Sequence, residues 1–213
     1  MEDITLRALR TLKEADAIYA EDTRVISKLL AKYQITTSVH RLDAATEIKK
    51  AEEIVDRLES NEKIAFVSDA GTPGISDPGS RLVAYVRTHA PSVTIEAIPG
   101  ASAITTLLSI AGLASDSFTF LGFLPHKKGR QTALKSIAAS LYPVIIYESP
   151  HRILKLLTEL SEVKSQRVTV GRELTKMFEE VLIGEPLEIA KRLEKQGGVR
   201  GEFVVLIESL NVK

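Results

Sequence analysis

The chain has 213 residues, 44% hydrophobic and 26% charged, with 28 basic side chains against 28 acidic ones and neither cysteine nor tryptophan. That composition excludes a disordered tail, and the lack of cysteine removes disulfide frameworks, thiolate zinc sites, iron–sulfur clusters and cysteine nucleophiles. The longest mostly apolar stretch, residues 104–114, is broken by Thr105, Thr106, Ser109 and Gly112 and is too short for a membrane span, while the acidic start Glu2-Asp3 lacks the features of a secretory signal, so a cytoplasmic location without membrane partners is expected.

Short β-branched runs alternate with longer amphipathic stretches, which predicts an α/β fold. Leu6, Leu9 and Leu12 mark a helix over 4–14, followed by a strand over 17–20 and a helix over 24–33. Over 46–60, Ile48, Ala51, Ile54, Val55 and Leu58 form one apolar stripe among lysines and glutamates. A buried strand over 63–68, a helix over 80–89, a strand over 93–98 and a helix over 101–111 capped by Gly112 complete the first part. The polar segment Ser115 to Ser117 is the expected boundary, dividing an α/β domain of residues 1–116 from a second of residues 117–213. The second part has strands over 118–121, 144–147, 167–171, 178–183 and 202–208, and helices over 131–140, 151–161 and 186–196. Its closing run of strands predicts a mixed sheet. Up to Ser117 there are 13 basic and 17 acidic residues, and beyond it 15 and 11, so the second part is the better candidate to meet a polyanion.

The most unusual segment, S-D-A-G-T-P-G-I-S-D-P-G from Ser68 to Gly79, directly follows a strand. Ligands of open α/β sheets bind at the carboxyl ends of strands, where glycines let a ligand approach the backbone. Asp69 and Asp77 can accept hydrogen bonds there, although Asp77 could instead cap the next helix. I-P-G-A-S-A, ending at Ala103, presents backbone amides at a helix start. Three further strand ends carry Glu21-Asp22-Thr23-Arg24, Tyr147-Glu148-Ser149-Pro150-His151-Arg152 and Gly171-Arg172-Glu173-Leu174-Thr175-Lys176, with Asp22 or Thr23 also suited to capping. G-x-G-x-x-G, Walker A and G-x-S-x-G patterns are absent, and His40, His89, His126 and His151 lack metal-ligand spacing, so no metal site is expected. Lys127, Lys128 and Arg130, following G-F-L-P, have the composition of a phosphate-contacting loop or of a solvated turn. Aromatics, at 5%, are too sparse for an RNA-stacking sheet of the RRM kind.

In this order, E-D-T-R, the Ser68 loop, I-P-G-A-S-A, G-F-L-P, Y-E-S-P-H-R and G-R-E-L-T-K closely resemble the ribosomal RNA small subunit methyltransferase I family over essentially the whole chain. The resemblance implies S-adenosylmethionine-dependent methylation of the ribose 2′-hydroxyl of a cytidine in 16S ribosomal RNA, on the RNA or the small ribosomal subunit. It also implies two small α/β domains of the tetrapyrrole methylase type, a cofactor cleft between them and a homodimer. By motif, the cofactor positions are Asp69, Ala70, Gly71, Thr72, Pro73 and Ile75, with Pro99, Gly100, Ala101, Ser102 and Ala103 as a second wall. The family opens with an apolar strand and a Thr-Pro-Ile-Gly-Asn-type loop, whereas this chain starts at Met1-Glu2-Asp3, so the first domain is expected to lack one strand.

Methyl transfer to a hydroxyl needs in-line alignment and a proton acceptor. Glu21, Asp22, Glu148, Glu173 and Lys176 are the candidate catalytic groups. Arg24, Arg152 and Arg172 suit phosphate binding beside Lys127, Lys128 and Arg130. Two rival readings remain: a methyltransferase for a small tetrapyrrole-like molecule on the same fold, and a catalytically impaired cofactor- or RNA-binding module.

Overall fold

The computed structural model describes residues 2–114, 116–163, 167–195 and 199–209. They divide into two compact units, Met1–Ser102 and Ala103–Lys213.

In the first unit, β1 (Ala17–Ala20), β2 (Ser38–Arg41) and β3 (Ile64–Val67) form a parallel sheet in the order β2-β1-β3. A central parallel strand must bury both faces, and A-I-Y-A does so without a polar interruption. Ala17 and Tyr19 pack with residues of α3 (Glu47–Glu59) and α4 (Ser80–His89), including Ile54, Leu82 and Val86. Ile18 and Ala20 pack with Leu12 of α1 (Leu6–Glu14) and with Ile26 and Leu30 of α2 (Thr23–Lys32). Each fully buried Ile or Leu in these layers contributes about 1.5–3 kcal/mol. The sheet's parallel sense brings the loops that follow β1, β2 and β3 to one end.

Two expectations fail in this unit. The strand expected over 93–98 is absent: residues 94–98 are neither helix nor strand. V-T-I-E-A-I has a pairing pattern, but the sheet ends at β3 and offers it no ladder. Conversely, β2 went unread because S-V-H-R is short and only half-buried. It forms because each of its residues pairs with one in β1.

In the second unit, β4 (Thr119–Phe123), β5 (Val144–Glu148), β6 (Val168–Arg172), β7 (Glu180–Gly184) and β8 (Phe203–Ile207) form one sheet in the order β4-β5-β8-β6-β7. Only the β4–β5 pair is parallel, so the sheet is mixed. One face, with Val144, Ile146, Val170 and Val205, packs with Leu134 of α6 (Arg130–Ala138), Leu156 and Leu160 of α7 (Ile153–Glu162), and Ile189 and Leu193 of α8 (Pro186–Lys195). On the other face, Ile145, Val204 and Leu206 meet Ile104 and Leu107 of α5 (Ala103–Ile110). α5 therefore packs within the second unit, which begins at Ala103 rather than at the polar segment 115–117. Ser115 and Gln196, the latter the expected end of α8, lie outside the described residues. Among the described residues no helix is long and apolar enough to cross a membrane.

Candidate active site

A cavity of about 540 Å³ opens at the strand ends of the first unit, lined by Glu21, Asp22, Thr23, Arg24, Arg41, Asp43 and Asp69. The loops after β1 and β3 are tied together across it, because the Asp22 amide donates to Asp69 Oδ1 at 3.1 Å. Asp22 is also the N-cap of α2: its Oδ1 accepts the Arg24 amide at 2.8 Å, and its Oδ2 takes the Arg24 guanidinium at 2.5 Å. Those hydrogen bonds from the Arg24 side chain and amide hold the Asp22 carboxyl down at about 2. Its neighbour behaves in the opposite way. Burial, followed by the negative charges of Asp69 and Asp77, pushes Glu21 above its usual value of 4.5. Two adjacent carboxylates thus differ in proton affinity because one is bonded by an arginine and the other is partly buried and faces carboxylates.

The loop from Ser68 to Gly79 is held at three points. At its start, the Ser68 hydroxyl donates to the carbonyls of Ala70 and Gly71 at 3.2 and 3.4 Å. Gly71 has φ +72°, and a Cβ there would lie 3.0 Å from the Ala101 carbonyl oxygen, so the two predicted cofactor walls meet backbone to backbone. Thr72 lies against Gly100, and the Thr5 hydroxyl reaches the Pro99 carbonyl at 3.5 Å. At the far end, the buried carboxylate of Glu47 accepts the amides of Gly79 and Leu82 at 2.9 and 2.8 Å. Glu47 therefore caps the start of α4 from a distant helix. Pro73 lines a second cavity of about 310 Å³ with Phe66, Gly74, Gly79, Ser80 and Val83. Ile75 is exposed, Ala70 and Gly100 are open to solvent, and Ser102 precedes Ala103, the first residue of α5.

The remaining candidates lie in the second unit and form two separate clusters. Glu148 is 1% exposed; its Oε1 takes the Arg152 guanidinium at 2.6 Å and the Ser149 amide at 2.8 Å, and Arg130 Nη1 stands 3.8 Å from Oε2. Arg130 is 4% exposed and binds Glu159 at 2.7 Å. Its charge is thus closed inside the unit, and it supports the loop preceding α6 instead of facing solvent as the basic-loop expectation required. Arg152 donates to the Leu124 carbonyl at 3.0 Å and Arg130 to that of Pro125 at 3.3 Å, while Lys127 and Lys128 stay exposed.

In the second cluster, Glu173 Oε1 accepts the Glu202 amide at 2.8 Å and the Lys176 ammonium at 3.1 Å; the same ammonium reaches Glu202 Oε2 at 2.8 Å. Burial pushes the Glu173 carboxyl up, but these bonds and the nearby Arg172 outweigh it, so its pKa lies below the usual range. Burial pushes Lys176 down, and its two carboxylates more than reverse that. Glu173 and Thr175 adopt left-handed backbone at φ 49° and 64°, and a Cβ on Gly201 would lie 2.5 Å from Glu173 Cγ, so the cluster is fixed by the chain around it. Arg172 donates to the Arg200 carbonyl at 2.7 Å and to Glu180 at 3.3 Å.

Arg41 and Asp43 were missed as site residues because β2 was missed, and Glu47 because a lone glutamate at a helix start carries no sequence signal for distant amides. The fold itself is that of a methylase: the family model for Tetrapyrrole (Corrin/Porphyrin) Methylases matches residues 1–190. A solved cobalt precorrin-4 methyltransferase, 16% identical, superposes with a TM-score of 0.72 over 100% of this chain and 91% of its own, which shows shared fold. The Ribosomal RNA small subunit methyltransferase I of Borrelia garinii subsp. bavariensis is 44% identical over 97% of this chain and 93% of its own. That of Escherichia coli O157:H7 is 42% identical over 98% of this chain and 73% of its own. The chain belongs to the ribosomal RNA small subunit methyltransferase I family, within the tetrapyrrole methylases.

Proposed function

We propose that the chain is an S-adenosylmethionine-dependent methyltransferase for the ribose 2′-hydroxyl of a cytidine in 16S ribosomal RNA, acting on the small ribosomal subunit in the cytoplasm as a homodimer. Membership in the family supports the reaction and its substrate. The observation that carries the site is the gathering of Glu21, Asp69 and the Gly71–Ala101 backbone contact at one end of the parallel sheet. These groups fit the cofactor: carboxylates suit a ligand bearing ammonium and sulfonium charges, and the exposed backbone at Gly71 and Gly100, which lacks Cβ atoms, suits the close approach of a flat nucleoside. Asp69, Gly71, Thr72 and the Pro99–Ala101 backbone would hold it. Bound S-adenosylmethionine supplies an electrophilic methyl group.

Among the candidate carboxylates, Glu21 combines partial exposure with raised proton affinity. Asp22 is held ionised by Arg24, Glu148 is enclosed by arginines, and Glu173 and Lys176 neutralise each other. Glu21 takes the hydroxyl proton, and Asp69 positions the loop through the Asp22 amide. Lys127 and Lys128 provide phosphate contacts. Small ribosomal subunits incubated with tritiated cofactor and this chain should acquire label that nuclease digestion returns as 2′-O-methylcytidine. Label on the base, or none, contradicts the reading.

A further inference from the structure

Resting on that reading, we propose that Phe123 is a stacking platform for an unpaired RNA base, placed beside the exposed Lys127 and Lys128 so that one strand is held by ring and phosphate together. β4 is an edge strand of the second unit's sheet and runs to Phe123. Phe123 is in register with Tyr147; their rings lie 5.7 Å apart, and the Phe120 ring meets that of Tyr147 edge-on at 5.0 Å. α5 packs over β8 and β6 on the sheet face that bears these aromatics, and Phe123 at the β4 end stays 52% exposed. The ring is therefore braced from within the unit yet open outward.

Charge selects the occupant. Between Asp116 and Glu148 the chain has no acidic residue, while it carries His126, Lys127, Lys128, Arg130 and Lys135. The loop after Phe123 is also preorganised. Half-buried Arg152 and buried Arg130 hold the carbonyls of Leu124 and Pro125, and the Lys127 carbonyl accepts the Arg130 amide at 3.2 Å. An aromatic ring at the edge of an acid-free, lysine-bearing loop matches the combination by which proteins hold single strands, since bases stack on the ring and phosphates meet the cations.

The Phe123→Trp variant of the full chain carries a single tryptophan, since the natural sequence has none. Its emission should be quenched by a single-stranded RNA oligonucleotide of about a dozen nucleotides, a length within the usual site sizes, and much less by the matching duplex. Phe123→Leu should weaken single-strand binding about fivefold or more, the loss of one stacked base, without changing the salt dependence. Replacing Lys127 and Lys128 by alanine should instead lower the log–log salt slope by about 1.4.

Unchanged affinity in Phe123→Leu, or unquenched emission in Phe123→Trp, overturns the platform. So does a Phe123→Leu variant that binds RNA normally but sediments differently, which would make the ring a contact between copies. Methyl transfer by the unaltered chain separates the two failures. If it labels ribosomal subunits while Phe123→Leu binds RNA as before, only the platform is lost; if it neither labels subunits nor binds RNA, the functional reading falls as well.

Discussion

The carboxylates at the ends of β1 and β5 look alike in sequence, E-D-T-R and Y-E-S-P-H-R, and do opposite things in the structure. After β1, Glu21 borders an open cavity, and partial burial followed by the charges of Asp69 and Asp77 raises its proton affinity. At the end of β5, Glu148 is enclosed by Arg152 and Arg130, which brace the loop that carries Lys127 and Lys128. A strand-end carboxylate is reactive or structural according to the charges packed against it, and those come from residues far away in the chain.

Removing each carboxylate should separate the two regions most clearly. Glu148→Ala leaves the half-buried Arg152 guanidinium without a counter-charge and takes one of two carboxylates from buried Arg130, which costs about 3 kcal/mol in urea unfolding. Glu21→Gln removes a charge that burial and two acidic neighbours already disfavour, so it should leave unfolding unchanged or slightly stabilised while abolishing methyl transfer. Similar losses of stability in both variants would erase the distinction.

Glu47→Ala sharpens it at the loop. Two amides at the start of α4 lose their acceptor, and an unsatisfied buried donor costs about 1–3 kcal/mol. Cofactor affinity should fall with stability, because the same carboxylate anchors the exit of the Ser68 loop; Glu47→Gln, which keeps an acceptor, should recover part of both.

The smallest effect is in pH dependence. A proton acceptor works only when deprotonated, and the Glu21 carboxyl lies above 4.5, so activity should fall on acidification at a pH above that of an ordinary glutamate. Asp69→Asn removes a neighbouring negative charge, so whatever activity remains should lose its acid limb at lower pH. For stability the sign is reversed: protonated Glu21 favours the folded chain, and this contribution disappears as pH rises through its folded value. An acid limb unmoved by Asp69→Asn would assign proton acceptance to another group.

The legibility of the sequence follows the same division. β1 and α4 were readable to the residue because an uninterrupted apolar run and an amphipathic stripe are local properties. The expected strand over 93–98 was not, since alternation records an ability to pair and the three-stranded sheet supplies no partner. At the site, the Ser68 loop was evident from its glycines and prolines. Arg130 was read as a surface cation because the carboxylates that enclose it, Glu148 and Glu159, lie on β5 and α7. Phe123 was passed over because overall aromatic content says nothing of one ring left at a sheet edge.

The most direct measurement is calorimetric titration of S-adenosylmethionine into the full chain and into Asp69→Ala. Asp69 accepts the amide that joins two strand-end loops, and loss of a charged hydrogen-bonding group costs about 1.5–3 kcal/mol. Affinity should therefore drop roughly tenfold or more with the fold retained by circular dichroism. Undiminished affinity in Asp69→Ala would contradict placing the cofactor at the strand ends of the first unit.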